Sequence, residues 1–196
     1  MTRTRVLQIA GGFILLVLLI AVVTLGLERI LAPPPAPAGD TTAAAAAAAG
    51  VPHITATLFF ATPDGQALAA VRREVPLAEG AIAQGRQILS AQTEPPPEGL
   101  LSAIPAGTSI RAFYVTSQGD AFVDLSAEAV TAHPGGSTAE LLTVHAIVNA
   151  VTANLPAVRR VQILVGGKEV DTLAGHVDLR RPLERDSSLV RAAPSR

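Results

Sequence analysis

The sequence predicts an α+β fold: one compact domain, order β-β-α-β-β-α-β, with a mixed sheet and two helices, behind a transmembrane helix and a Pro/Ala linker. Two observations carry the domain. Stretches that alternate apolar and polar residues come in pairs separated by turn residues, as hairpins require. Between the pairs lie longer stretches of helix formers, one of them with apolar residues at steps of three and four. Strand pairs separated by single helices place those helices against a sheet.

The first element is apolar throughout. After MTRTR comes VLQIAGGFILLVLLIAVVTLGL, Val6 to Leu27, without a charged residue. As a helix it would reach roughly 33 Å, enough to cross a hydrocarbon core. Residues 6–31 are therefore read as a signal anchor that stays in the cytoplasmic membrane. Arg3 and Arg5 place residues 1–5 in the cytoplasm and everything after the span outside. A cleaved signal is the alternative, with Ala36-Pro37-Ala38 as its site, but this run exceeds the roughly 7–15 apolar residues of such signals. Residues 32–52, rich in Pro and Ala, lack apolar periodicity and read as a semi-rigid tether.

The domain is expected over residues 53–183. In HITATLFF, Ile54, Ala56, Leu58 and Phe60 alternate with their neighbours; Pro63-Asp64-Gly65 supplies a turn, and Ala67 to Val75 returns as the partner strand. LAEGAIAQGRQILSAQ, residues 77–92, predicts a helix stopped by Glu94-Pro95-Pro96-Pro97, with Gly80 and Gly85 weakening its first half. Thr108 to Thr116 and Ala121 to Leu125 flank Ser117-Gln118-Gly119-Asp120, a strand, turn and strand. Leu141, Val144, Val148, Val151 and Leu155 mark one face of a second helix, widened by Leu142 and Ile147 and closed by Pro156. Val158 to Val165 is the last strand, ending at Gly166-Gly167. Residues 184–196 are polar enough to form a flexible tail.

Composition removes several functions. The net charge of −1 and 3% aromatic content leave neither a basic face nor stacking platforms, so no nucleic-acid partner is expected. The absence of cysteine excludes disulfides, thiolate metal sites, cysteine nucleophiles and lipid attachment through an N-terminal Cys.

The candidate polar groups read mostly as scaffold. Ser137-Thr138-Ala139-Glu140 has capping-box spacing: the Ser137 hydroxyl would accept the Glu140 N–H, and the Glu140 carboxylate would accept the Ser137 N–H. A hydrolase elbow would need Gly at 139, where Ala stands, and a strand running into the turn. His145 is expected to pack in the core and Asn149 to satisfy a buried backbone group. His176 and Asp178 would share one side of an extended Gly175-His176-Val177-Asp178, yet a zinc site needs a third protein ligand. Asp124 reads as a turn cap, or as one of a pair of acids. No residue is expected to be catalytic, to bind a cofactor or to hold a metal.

Taken in order, VDLS, GGSTAE, AIVNAVT, VQILVGG and AGHVDL resemble the GerMN domain, strongly over residues 99–183 and loosely over 53–92. That module is named from a protein of sporulation and spore germination. The resemblance implies an extracytoplasmic α/β module without known catalytic residues, joined to an anchor and sharing features with ring-building domains of sporulation channels. It implies a role in envelope assembly, with Ser137, Glu140, Asn149, Gly175 and His176 as fold-holding positions. The expected function is a non-enzymatic, membrane-anchored interaction module, periplasmic in placement, that binds an envelope protein or a second copy of itself. The alternative is a peptidoglycan-binding or peptidoglycan-acting protein using Asp124, Glu140 and His176.

Overall fold

The computed structural model describes residues 51–191. The expected membrane span, most of the linker and the last five residues of the expected tail lie outside the described residues. Among the described residues, no helix is long and apolar enough to cross a membrane.

Strand β1, His53–Ala61, pairs antiparallel with β2, Leu68–Pro76, along its whole length. The helix α1, Gly80–Thr93, stops where the Pro95-Pro96-Pro97 run begins. Strands β3, Ile110–Val115, and β4, Asp120–Leu125, form the second hairpin, with a bulge between Ile110 and Ala112. A single turn of helix, α2, Glu128–Thr131, precedes the long α3, Ser137–Asn154. Strand β5, Arg160–Val165, then pairs parallel with β4. Three short strands follow: β6, Lys168–Glu169, β7, Leu183–Glu184, and β8, Val190–Arg191.

The β-β-α-β-β-α-β order holds for the main elements, with the one-turn α2 and the short β6, β7 and β8 added to it, but the single mixed sheet does not. The strands form two sheets, β1-β2-β8 and β3-β4-β5, with β6 and β7 both on the outer side of β5. The reason lies at the outer edge of β1. Asn154 of α3 bonds both backbone groups of Thr57, at 2.8 Å each. Gln92 of α1 does the same for Phe59, at 2.9 and 2.7 Å. Leu101 pairs with Ala61 through both backbone groups. A side-chain carboxamide presents the same donor and acceptor as a peptide, so these groups stand in for a neighbouring strand and stop the sheet there.

The two sheets share one core. Phe59, Phe60, Ile88, Phe113, Ile147 and Ile163 are among its fully buried side chains. Helix α3 has no solvent face along its middle: every residue from Leu142 to Val151 is buried, polar ones included. The single apolar face expected from the spacing is therefore too narrow, and Leu141, assigned to it, is only half-buried. The cause is tertiary, since α3 is packed by α1, β1, β5 and β7 at once. Gly85, a mark against α1 in the sequence, has its own reason. A Cβ there would lie 2.2 Å from Phe113 Cε1, so the ring needs the missing side chain.

Residues 184–191, expected to belong to a flexible tail, are part of the fold. Here β7 pairs with β5, β8 pairs with β2 at Leu68 and Ala69, and Asn149 holds the chain between them. Polarity misled the expectation, because this segment is fixed by backbone pairing, with Leu183 and Val190 packed against the core.

Candidate functional site

The head of α3 is where the sequence placed its capping box, and the structure corrects that reading. Gly136, at φ +87°, is the N-cap, and neither it nor Ser137 supplies a side-chain cap. Ser137 is already the first helical residue. The Glu140 N–H closes the first helical bond on the Gly136 carbonyl at 3.1 Å, leaving no donor for the Ser137 hydroxyl.

The Glu140 carboxylate points away from its own helix end. One oxygen, Oε1, accepts the N–H groups of Leu173 and Ala174 at 2.8 and 2.9 Å. The other, Oε2, accepts the His176 N–H at 2.8 Å and faces His176 Nδ1 at 3.2 Å. The side chain is wholly buried. Burial pushes this carboxyl up; the N–H groups of Ala174, His176 and Leu173 outweigh it, so the carboxyl stays below its ordinary value. Gly175 to Asp178, which would set His176 and Asp178 on one side if extended, is bent instead, and residues 173–177 fold around an anion fixed by α3.

The other candidates are held just as locally. Asp124 Oδ1 accepts the Gly167 N–H at 2.7 Å, closing the β5–β6 turn, while Oδ2 lies 3.2 Å from Arg111 Nε. It is a turn cap, but of a turn 43 positions away. Asp178 pairs with Arg180 at 2.7 Å and not with His176; the guanidinium holds its carboxyl well below the usual range. Asn149 bonds the backbone of Asp186 at 2.8 and 3.0 Å, as expected of a group that satisfies buried backbone. His145 packs in the core with its Nδ1 buried and unpartnered; burial holds the imidazole below its ordinary value, against the opposing pull of Asp186.

Sequence reasoning missed His133. Its Nδ1 accepts the Gly135 N–H at 3.0 Å, so the neutral ring carries its proton on Nε2, 3.3 Å from Thr143 Oγ1. Thr143 donates to the Ala103 and Ala139 carbonyls. No local spacing signals this knot, since its parts lie up to 40 positions apart. Glu140 and His176 are thus brought together, His133 and Thr143 are joined beside them, and no bond links Asp124 to either pair. Among the described residues no three His, Asp or Glu side chains are grouped as metal ligands.

A family model described as "Germane: Sporulation and spore germination" matches residues 57–171, more than half of the chain. The chain belongs to the Germane family. The GerMN resemblance read from the sequence therefore holds. The tandem GerMN domains of the sporulation protein GerM from Bacillus subtilis share the fold of this Germane chain at 16% identity and a TM-score of 0.53, over 68% of this chain and 46% of theirs. The first GerMN domain of GerM alone is 15% identical with a TM-score of 0.49, over 69% of this chain and 98% of that one. A "Putative Lipoprotein from Clostridium perfringens" is 26% identical with a TM-score of 0.48, over 67% of this chain and 87% of that one. No curated protein matches.

Among the described residues, two concavities border the same pair of threonines. A mainly apolar cavity of about 570 Å³ is lined by Leu101, Ile104, Pro105, Pro134, Leu142 and Thr143, among others. A cleft of about 390 Å³ with a mixed lining lies between α1 and the start of β3, with Arg86, Ser90 and Thr93 on one side and Ser109, Ile110 and Arg111 on the other. Thr93 and Thr108 border both, and the buried Thr108 hydroxyl has no hydrogen-bond partner.

Proposed function

We propose that this Germane chain is a non-enzymatic interaction module of the bacterial cell envelope, carried outside the cytoplasmic membrane on its N-terminal apolar segment, and that it joins an envelope assembly of the sporulation-related type through a protein partner. The observation that carries this reading is the Glu140 carboxylate. A carboxylate offers about four lone-pair positions, and here three backbone N–H groups and one imidazole nitrogen address them. A wholly buried carboxylate so occupied has no free lone pair with which to take a substrate's proton. Asp124 is similarly committed to Gly167 and Arg111. The acids that glycoside cleavage would need are spent on loops.

One observation favours the second reading, a peptidoglycan-directed protein. His176 is 45% exposed, and its ring is oriented by a buried carboxylate, as a general base is positioned. The experiment incubates the purified full-length chain with peptidoglycan sacculi and follows both co-sedimentation and soluble fragments. The interaction reading expects no fragments, and expects His176→Ala to leave any sedimentation unchanged. Fragments that vanish in His176→Ala, with the melting temperature kept, would replace it with the enzymatic reading. Sedimentation without fragments, weakened by His176→Ala, would make the domain a wall-binding module.

A further inference from the structure

Five Phe or Tyr side chains fall among the described residues, and the core uses three of them, Phe59, Phe60 and Phe113. The other two, Tyr114 and Phe122, sit directly opposite each other across the β3–β4 pair. Residues paired in this way project to the same side of the sheet, with their Cβ atoms about 5 Å apart. That side is the outer one, since the neighbouring Phe113, Ala121 and Val123 are fully buried on the other. Tyr114 is 56% exposed. Phe122 is half-buried, yet it is not among the half-buried apolar side chains packed against the core.

The two rings lie between polar rows. On one side the Asp120 carboxylate accepts Arg160 Nε and Nη2 at 2.8 and 3.0 Å. On the other, Asp124 lies 3.2 Å from Arg111 Nε. Asp120, Phe122 and Asp124 alternate along β4, so both acids share the outer face with the rings. Each acid has its own guanidinium, and Glu184, opposite Arg160, adds one further negative charge. The face therefore disfavours an acidic ligand. Towards β5 it is closed, because Gln162, the partner of Phe122, is 3% exposed and donates to the Leu179 carbonyl. What stays open is a strip two strands, or roughly 10 Å, wide. A protein partner covers about 800 Å² on each side, more than this strip supplies.

We infer that this strip is a binding platform for the β-linked N-acetylhexosamine strand of the cell wall, whose pyranose rings lay their C–H faces on Tyr114 and Phe122. An aromatic ring is negative on its face, and the axial C–H groups of a β-linked pyranose carry partial positive charge. The hydroxyl and N-acetyl groups at the sugar's edges meet the polar rows. There the Arg111 and Arg160 guanidiniums keep N–H donors beyond those spent on Asp124 and Asp120. The sugar strand itself is uncharged where its lactyl groups are amide-linked to stem peptides, as this face requires. The platform uses neither Glu140 nor His176 and calls for no bond cleavage. The inference rests on the extracytoplasmic placement proposed above, and it leaves the protein partner to other faces.

Tyr114 is the only tyrosine and the chain has no tryptophan, so tyrosine emission reads this residue alone. The test titrates the full-length chain, in zwitterionic micelles without sugar headgroups, with chitin oligomers, which are β-linked N-acetylglucosamine. The expected result is a saturable change in emission, tighter for longer oligomers and little altered by salt. Co-sedimentation with sacculi then separates ring from bulk. Tyr114→Phe keeps binding, whereas Tyr114→Leu and Tyr114→Ala each lose about tenfold in affinity. All three keep the fold, since this side chain lies outside the core, and circular dichroism checks that. His176→Ala changes nothing. Emission indifferent to every oligomer, equal retention by Tyr114→Leu and Tyr114→Phe, or tighter binding of acidic than of neutral oligomers would each overturn the platform. If no oligomer binds while a photoreactive residue in place of Tyr114 captures a membrane-associated protein, the interaction reading stands and this site falls. Oligomer binding by a chain whose domain proves shielded from external protease in spheroplasts keeps the sugar platform, but overturns the wall strand as its occupant together with the placement.

Discussion

Glu140 Oε2 accepts the backbone N–H of His176 at 2.8 Å and faces its imidazole Nδ1 at 3.2 Å, tying the head of α3 to a loop 36 positions further along the chain. The loop spanning residues 173–177 is also pinned by Leu173 in the core and Val177 packed against it. Its N–H groups converge on one buried anion, and the anion is kept ionised by them. Fold and electrostatics depend on each other at this point.

Glu140→Gln separates this arrangement from a capping box. The amide keeps the shape but sets an NH₂ against backbone donors, so at least one buried N–H loses its acceptor. The expected loss is roughly 3 kcal/mol, read as a lower urea midpoint. Ser137→Ala should change stability by no more than about 0.5 kcal/mol, because its hydroxyl caps nothing. Equal losses in the two variants would restore the capping reading.

Acid should weaken the fold in two stages. Burial lowers the His133 and His145 imidazoles below their ordinary values, so the unfolded chain binds those protons first. Stability therefore begins to fall as the pH drops below about 6.5. Glu140, also lowered, is fully stabilising above the ordinary carboxylate range, and its contribution is lost as pH falls through its depressed value. Melting temperatures from about pH 8 to about pH 2 check both stages. His145→Phe should flatten the upper stage, since it removes a buried, unpartnered ring nitrogen.

The carboxamide clamps on β1 give a third prediction. Asn154→Ala strips both partners from Thr57, and Gln92→Leu strips both from the more deeply buried Phe59. Each should cost about 1–3 kcal/mol, with Gln92→Leu the larger. Hydrogen exchange offers a second readout: the Thr57 and Phe59 amides should lose protection selectively. Unchanged protection would mean that the strand edge is covered by other means.

Which parts of this were legible in the sequence follows from the range of the forces involved. The hairpin of β1 and β2 was legible because alternation and turn chemistry are local, and α1 ends where its prolines say it must. The head of α3 was misread because S-x-x-E describes a capping box and a buried long-range carboxylate equally well. Only the position of Leu173 to His176 in space distinguishes them, and nothing near Glu140 encodes it. Asn154 and Gln92 split one expected sheet into two, yet in sequence each is an ordinary polar residue near a helix end. The Arg86–Arg111 cleft has no local signature either, because its walls come from a helix and a strand joined by a long loop.

Gly85 supplies the last prediction, and here propensity and packing have opposite signs. In an exposed helix, Gly→Ala should stabilise by about 1 kcal/mol. At this position the new Cβ would lie 2.2 Å from Phe113 Cε1, and Phe113 is fully buried between α1 and the second sheet. The ring cannot retreat without disturbing packed neighbours, so Gly85→Ala should destabilise by about 1–3 kcal/mol. The double variant Gly85→Ala with Phe113→Leu tests the cause. The smaller side chain costs stability alone, but it vacates the space that the methyl needs, so the pair should lose less than the sum of the single losses. Simple additivity would mean that the contact is not what excludes a side chain at 85, and that the glycine serves the helix for another reason.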